Sequence, residues 1–383
     1  MKVGIPKEVA GGERRVAITP DAARALIDLS LEVGVESGAG LEAGFADADY
    51  EAAGAVVEES AATVFAADLV LKVAAPCERQ EGGHELDWLS RGAALVGFLR
   101  PLDEPELAAR LAEHGINSFA MELVPRITRA QSMDALSSMS TIAGYRAVIL
   151  AAGALPKIFP MLVTAAGTIQ PARALIIGAG VAGLQAIATA RRLGAVVEAY
   201  DTRAAVKEQV ESLGARFVEL DLDSGDAEDA GGYATAQSEA FYQRQREELG
   251  RHMARCDFVI TTALVPGQRA PLLIDEAAVK GMASGSVIVD LAAELGGNCA
   301  YTDPEAERVV AGVRIIPGVN LPSQIPANAS QMYAKNLTTL VKHLAPEGEL
   351  VLDLEDEITR GALLTHEGRV SNERVSGLLS GGT

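Results

Sequence analysis

The stretch ALIIGAGVAGLQAIATARRLGAVVEAYDTR, residues 174–203, decides how the rest of the chain is read. An apolar, strand-like run leads into Gly178, Gly180 and Gly183 at G-x-G-x-x-G spacing, and a helix-forming run follows. A second strand-like run then ends on Asp201, 23 residues beyond Gly178. The three glycines allow a tight turn, close approach of a pyrophosphate to the backbone, and close packing of helix on strand. The phosphates then sit at a helix N-terminus, where unpaired N–H groups and the helix dipole favour an anion. A Gly-rich turn in a ligand-free fold is the alternative, but strand, helix and terminal acid together point to a bound dinucleotide. Asp201 suits a ribose 2′-hydroxyl and repels a 2′-phosphate, so NAD(H) is expected over NADP(H). Arg203, two residues on, either softens that exclusion or is a surface cation.

Around this stretch, apolar runs at 173–178, 196–201, 216–221, 257–262, 286–292 and 313–318 make six strands, the count of a complete dinucleotide-binding sheet. Before it, 2–6, 32–37, 68–74, 94–99 and 117–122 read as a first strand series, alternating with helical segments such as 19–29, which opens with Thr19 and Pro20. The expected fold class is α/β, with two doubly wound parallel-sheet (Rossmann-like) domains, the first discontinuous in sequence. Residues 1–140 plus 325–383 form the first domain, completed by a returning helix at 327–344 and a charged tail with the Gly-Gly ending of a frayed terminus. Residues 141–324 form the NAD-binding domain.

The long connection 222–256, with its Gly231-Gly232-Tyr233 step, reads as either a mobile lid or irregular surface. With 33 Lys and Arg against 52 Asp and Glu, the formal charge is −19, which disfavours nucleic acid and anionic lipid. Three dispersed cysteines suit a reducing compartment, and no metal is expected. The N-terminus lacks a signal-like apolar core. The apolar region 147–177 is interrupted by Pro156, Lys157, Pro160, Pro171 and Arg173, short of the roughly 18 continuous apolar residues of a span. Direct membrane insertion is therefore not expected.

Residues 125–138, PRITRAQSMDALSS, crowd Arg126, Arg129, Gln131, Ser132, Asp134, Ser137 and Ser138 into one short run. Asp134 and Ser137 there could simply cap the helix that follows. Arg supplies planar donors and Gln both donor and acceptor, which suits gripping an amide and a ribose.

Taken with IPKEVAGGERRVAITP (5–20), KVAAP (72–76), MELVPRITRAQSMDALSSMSTIAGYRAV (121–148), TTALVPG (261–267) and SVIVDLAAELGGNC (286–299), the chain resembles, nearly end to end, the NAD(H)-binding alpha component of proton-translocating nicotinamide nucleotide transhydrogenase. The related alanine dehydrogenases share the start and the fingerprint. The resemblance implies that Arg126 and Ser137 hold the nicotinamide carboxamide or a nearby phosphate. Asp134 orients that network, and Gln131 reaches toward a second nucleotide. It adds Val181, Ala182, Thr202, Tyr233, Ala263 and Leu264 to the cofactor-binding positions.

In the alanine dehydrogenases the cations matching Arg15 and Lys72 hold substrate, and a catalytic His follows the strand that here reads ALVGFL. This chain has Phe98 in that place. Amino-acid dehydrogenation needs an acid/base near neutrality, whereas direct hydride passage between nicotinamides moves no proton at the reacting carbons. His84, His114, His252, His343 and His366 all read as surface residues. The resemblance implies NADP(H) on a partner beta subunit, membrane-spanning partner subunits, and a homodimer that is cytoplasmic and peripheral on the inner face of the cell membrane. Segment 143–163 is either the dimer contact or a helix buried within the subunit. An alanine-type dehydrogenase and a non-catalytic NAD-binding module are the rival readings.

Overall fold

The computed structural model describes residues 1–80, 82–220, 239–265 and 267–381. They divide into two compact units, Met1–Met139 with Pro322–Thr383, and Ser140–Leu321. The division falls inside the helix Ala135–Ala154.

In the Ser140–Leu321 unit the six expected strands form one sheet. It is ordered Arg216–Phe217, Val196–Tyr200, Arg173–Ile177, Phe258–Thr261, Val287–Asp290, Val313–Pro317, with Arg308–Val310 added antiparallel at the edge. In chain order this is 3-2-1-4-5-6, the doubly wound arrangement whose strand order reverses at the first strand. The central strands are apolar on both faces because helices cover both. Alternation sends Ile176, Val197, Ile260 and Val289 to one side, against Ala147, Val148, Ala151, Ala186 and Ala190. Leu175, Ile177, Val259 and Ile288 face the other side, against Leu249, Met253 and Val279. Ile177 is in register with both Tyr200 and Thr261, so Gly178, Asp201 and Thr262 leave the sheet at the same carboxyl edge.

The helix Ala135–Ala154 is long and apolar enough, by length and composition, to cross a membrane, a feature that a search for uninterrupted apolar runs does not flag. Its residues Ala147, Val148 and Ala151 are fully buried in the unit's core. The choice posed for 143–163 therefore splits: the helical part has a buried face, while Met161, Leu162 and Val163, in and beside the antiparallel pair Leu162–Thr164 and Gly167–Ile169, are exposed.

The second half of the 222–256 connection is the helix Glu239–Met253, with Leu249 and Met253 in the core. The Gly231-Gly232-Tyr233 step lies outside the described residues.

The other unit repeats the strand order. Val56–Glu58, Glu32–Glu36, Lys2–Ile5, Leu69–Leu71, Ala94–Gly97 and Asn117–Ala120 are parallel neighbours, again 3-2-1-4-5-6. The helix Pro326–Leu344 belongs to this unit.

Two features differ from expectation. Val56–Glu58 is a sixth parallel strand. The tail before its Gly-Gly ending carries elements of its own: Leu363–His366 pairs antiparallel with Asn117–Ala120, Arg369–Val370 pairs with Leu363–His366, and Glu373–Leu379 is helical. Leu364 and Thr365 are fully buried, with Thr365 Oγ1 2.6 Å from Ser118 Oγ and donating to Ile116 O at 2.7 Å. A strand this short forms because a distant edge supplies its partners.

Candidate functional site

At the carboxyl edge of the Ser140–Leu321 sheet the chain turns at Gly178, whose φ of +96° lies in the left-handed region that disfavours a side chain. A Cβ there would also lie 2.4 Å from Thr262 Oγ1. Gly180 caps the helix Val181–Arg192, whose first N–H groups, including those of Val181, Ala182 and Gly183, have no carbonyl within the helix to bond. A Cβ on Gly183 would lie 1.9 Å from Gly178 O, so helix and turn touch backbone to backbone. Gly144 makes a further close approach, since a Cβ there would meet Ala182 O at 2.0 Å.

Asp201 follows the neighbouring strand and is buried, accepting the Ala179 N–H at 2.7 Å and so tying the acid to the glycine turn. Arg203 is no detached surface cation: its Nε and Nη2 each lie 2.9 Å from Asp201 oxygens. Thr202 is half-buried between them.

Facing this corner, Thr262 Oγ1 donates to Gly178 O at 3.1 Å. Ala263 is gripped by buried Asn298, whose Oδ1 accepts the Ala263 N–H at 3.2 Å and whose Nδ2 donates to Ala263 O at 2.9 Å. Asp290, fully buried, accepts from Thr261 Oγ1, Thr302 Oγ1 and the N–H groups of Ala292, Asn298 and Cys299. These bonds fix the loop carrying Ala263 and Leu264. Thr262, Asp290 and Asn298 lie in segments that carry the family resemblance, but sequence reasoning gave them no role. An apolar run ending in Asp and followed by Gly-Gly-Asn was the available signal. Tyr233 lies outside the described residues.

In the other unit, Thr128–Met133 is a short 3-10 turn leading into the helix Ala135–Ala154. Asp134 caps that helix: its carboxylate accepts the Ser137 N–H at 2.8 Å and the Ser137 hydroxyl at 2.6 Å. The structure thus joins Asp134 to Ser137 and leaves the side chains of Arg126 and Gln131 exposed. Ser132 O accepts from Asn336 of the returning helix at 2.8 Å. Arg129 pairs with Asp356 at 3.1 Å. Although desolvation opposes it, the N–H groups of Thr359 and Ile358, with Arg129 and His343, push the Asp356 carboxyl down to about 2.

Arg15 and Lys72 are buried and already matched by the chain's own acids. Arg15 donates to both Glu13 oxygens, at 2.7 and 2.6 Å. Lys72 Nζ lies 3.0 Å from both Glu8 and Glu85. Burial works against the Lys72 charge, but the two carboxylates outweigh it and hold the ammonium above its usual range. Phe98 stacks on Tyr333 with ring centroids 5.1 Å apart. The five histidines, expected at the surface, are each partly exposed, and each has a polar partner. Among them, His252 meets Glu198, His343 meets Asp356 and His366 meets Asn117.

Glu122 is a further residue that sequence reasoning missed. It accepts the N–H groups of Leu99 at 3.2 Å and Arg100 at 2.8 Å, pinning the turn after Ala94–Gly97. Burial outweighs these bonds and pushes its carboxyl from 4.5 up to about 7, with Asp103 adding to the rise. A raised carboxyl contributes stability that is complete below its ordinary pKa and lost as pH rises through about 7. The thermal midpoint should therefore fall between about pH 5 and about pH 8, and Glu122→Gln should flatten that fall. Parallel curves for the two proteins would show that Glu122 ionises normally.

Two doubly wound sheets of the same strand order, one ending in a glycine turn held against an acid, define a two-domain protein of the Rossmann-like class. The chain matches "Alanine dehydrogenase/PNT, N-terminal domain" over residues 4–143 and "Alanine dehydrogenase/PNT, C-terminal domain" over residues 147–373, and it belongs to that family. An NAD(P) transhydrogenase alpha-subunit protein of Rhodospirillum rubrum is 48% identical over 381 residues, 98% of this chain and 99% of that one. The crystal structure of transhydrogenase from Sinorhizobium meliloti aligns with a TM-score of 0.86 at 43% identity, covering 97% of this chain and 100% of that one. An alanine dehydrogenase of Halomonas elongata is more distant, at 32% identity over 98% of this chain and 96% of that one.

Proposed function

We propose that the chain is the NAD(H)-binding alpha subunit of a proton-translocating transhydrogenase. It binds NADH and donates hydride to NADP+ held on a partner beta subunit, while membrane-spanning partners move the proton. The observation that carries this reading is Phe98. Where an amino-acid dehydrogenase would need an imidazole, an aromatic ring stacks on Tyr333 and offers no proton. Hydride passage between two nicotinamides needs positioning and water exclusion instead.

In this reading the NAD-binding domain is 141–324, and residues 1–140 plus 325–383 form the other. Gly178, Gly180, Val181, Ala182 and Gly183 take the pyrophosphate. Asp201, Thr202 and Arg203 lie along the adenosine ribose. Ala263 and Leu264, held by Asn298, flank the cofactor, with Tyr233 also assigned to it. Arg126 and Ser137 grip the carboxamide or a phosphate, Asp134 orients Ser137, and Gln131 reaches for the second nucleotide. The subunit works as a homodimer, cytoplasmic and peripheral on the inner face of the cell membrane through its partners.

The test is NADH oxidation by the pure chain, once with pyruvate and ammonia and once with NADP+ and the partner subunits. Turnover is expected only with the partners. Turnover with pyruvate and ammonia alone would restore the dehydrogenase reading.

A further inference from the structure

The turn that carries Gln131 is fastened from the returning helix by an amide. In the 3-10 turn Thr128–Met133, Ala130 and Met133 are buried while Gln131 and Ser132 are exposed. The last carbonyls of such a turn have no partner within it. One of them, Ser132 O, accepts from Asn336 Nδ2 at 2.8 Å. The turn then runs into Asp134, which caps the helix Ala135–Ala154 through Ser137. The backbone after Gln131 is thus held at Ser132 and again at Asp134. Asn336 itself is a costly residue for its place. It lies in the interior of the helix Pro326–Leu344 and is 6% exposed, where Asn forms helix less readily than Leu. Its Oδ1 is buried and, among the described residues, has no hydrogen-bond partner, a state that lowers stability. Leucine, which branches at the same Cγ, would remove both penalties. What the amide supplies that leucine cannot is the donor to Ser132 O.

We propose that Asn336 is a positioning residue for hydride transfer: through Ser132 O it fixes the turn that presents Gln131 to the second nucleotide. The inference rests on the transhydrogenase reading and deepens it. Asn336 acts through the backbone of the turn and not on a reacting atom. Passage of hydride between two nicotinamides depends on their placement, and a displacement of about 1 Å at a distance from the chemistry can slow a reaction about 100-fold. Without the amide, water can satisfy the carbonyl of exposed Ser132, so the chain still folds but the turn loses its fixed place.

The experiment compares the full-length wild type with Asn336→Leu in three measurements: thermal midpoint, NADH dissociation constant by fluorescence titration, and the rate of NADH oxidation with NADP+ and the partner subunits at saturating NADH. Asn336→Leu should melt no lower than the wild type. It should bind NADH within about twofold of the wild type and transfer hydride about tenfold or more slowly. That split separates positioning from scaffolding, because a residue needed only for the fold would lower the midpoint and leave the rate per folded chain unchanged. If Asn336→Leu does not fold, Asn336→Ala carries the same kinetic prediction. An unchanged rate per folded chain, or a loss of NADH affinity as large as the loss of rate, would overturn the proposal while leaving the transhydrogenase reading standing. A wild type that passes no hydride with its partners would overturn both.

Discussion

Lys72→Met is expected to lower the free energy of unfolding by about 3–5 kcal/mol, because removing one partner of a buried ion pair leaves the other charge uncompensated. Lys72 has no exposed surface and touches two carboxylates, Glu8 and Glu85, at 3.0 Å each. Glu85 keeps Arg79 at 2.9 Å, and Glu8 keeps the Val73 N–H at 2.6 Å, but neither contact replaces an ammonium shared between them. Burial already pushes the Glu8 carboxyl up, and without Lys72 it should rise further.

The sign of the pH dependence follows. A carboxyl with a raised folded-state pKa stabilises below its ordinary pKa and loses that contribution as pH rises, so the deficit of Lys72→Met should be larger at about pH 8 than at about pH 5. Urea unfolding at both values measures it. Adding Glu8→Gln and Glu85→Gln to Lys72→Met should recover much of the loss, since polar or apolar replacement of a whole buried ionic cluster is commonly tolerated. A deficit independent of pH would mean that Lys72 matters for packing alone.

Gly183→Ala should be nearly as damaging to the nucleotide corner. The new Cβ would sit 1.9 Å from Gly178 O, a backbone atom that cannot rotate away. The helix Val181–Arg192 must then back off the turn, at about 2–3 kcal/mol of stability. NADH affinity should fall by about 100-fold as the N-terminal N–H groups move off the phosphates. Gly180→Ala is the internal comparison, because its nearest neighbour would be the far end of Arg203 at 3.9 Å. It should fold like the wild type. Equal losses of thermal midpoint in the two variants would remove close helix–strand contact as the reason for the third glycine.

How much of this was legible in the sequence depended on the range of the interactions. The six strands of the Ser140–Leu321 sheet could be read because each is a buried-type apolar run that announces itself locally, and a strand buried on both faces has little choice of residue. The glycine spacing and Asp201 were legible for the same reason: the turn, the helix start and the acid lie within one βαβ unit. Leu363–His366 was not legible, because its partners Ser118 and Phe119 are more than two hundred residues away. Glu122 was equally silent, since only the fold brings it to the Leu99 and Arg100 N–H groups and raises its pKa.

The sequence by itself determined the doubly wound class, the glycine turn and the acid beside it, and the family resemblance, all carried by residues near one another in the chain. Only the tertiary structure decided that Lys72 and Arg15 are held by the chain's own carboxylates, that Asn298 and Asp290 hold the Ala263 loop, and that Arg203 lies on Asp201. The reason is physical. A charge or an amide specifies what it can bond to, but burial and geometry decide which partner it gets, and neither exists until distant segments have packed.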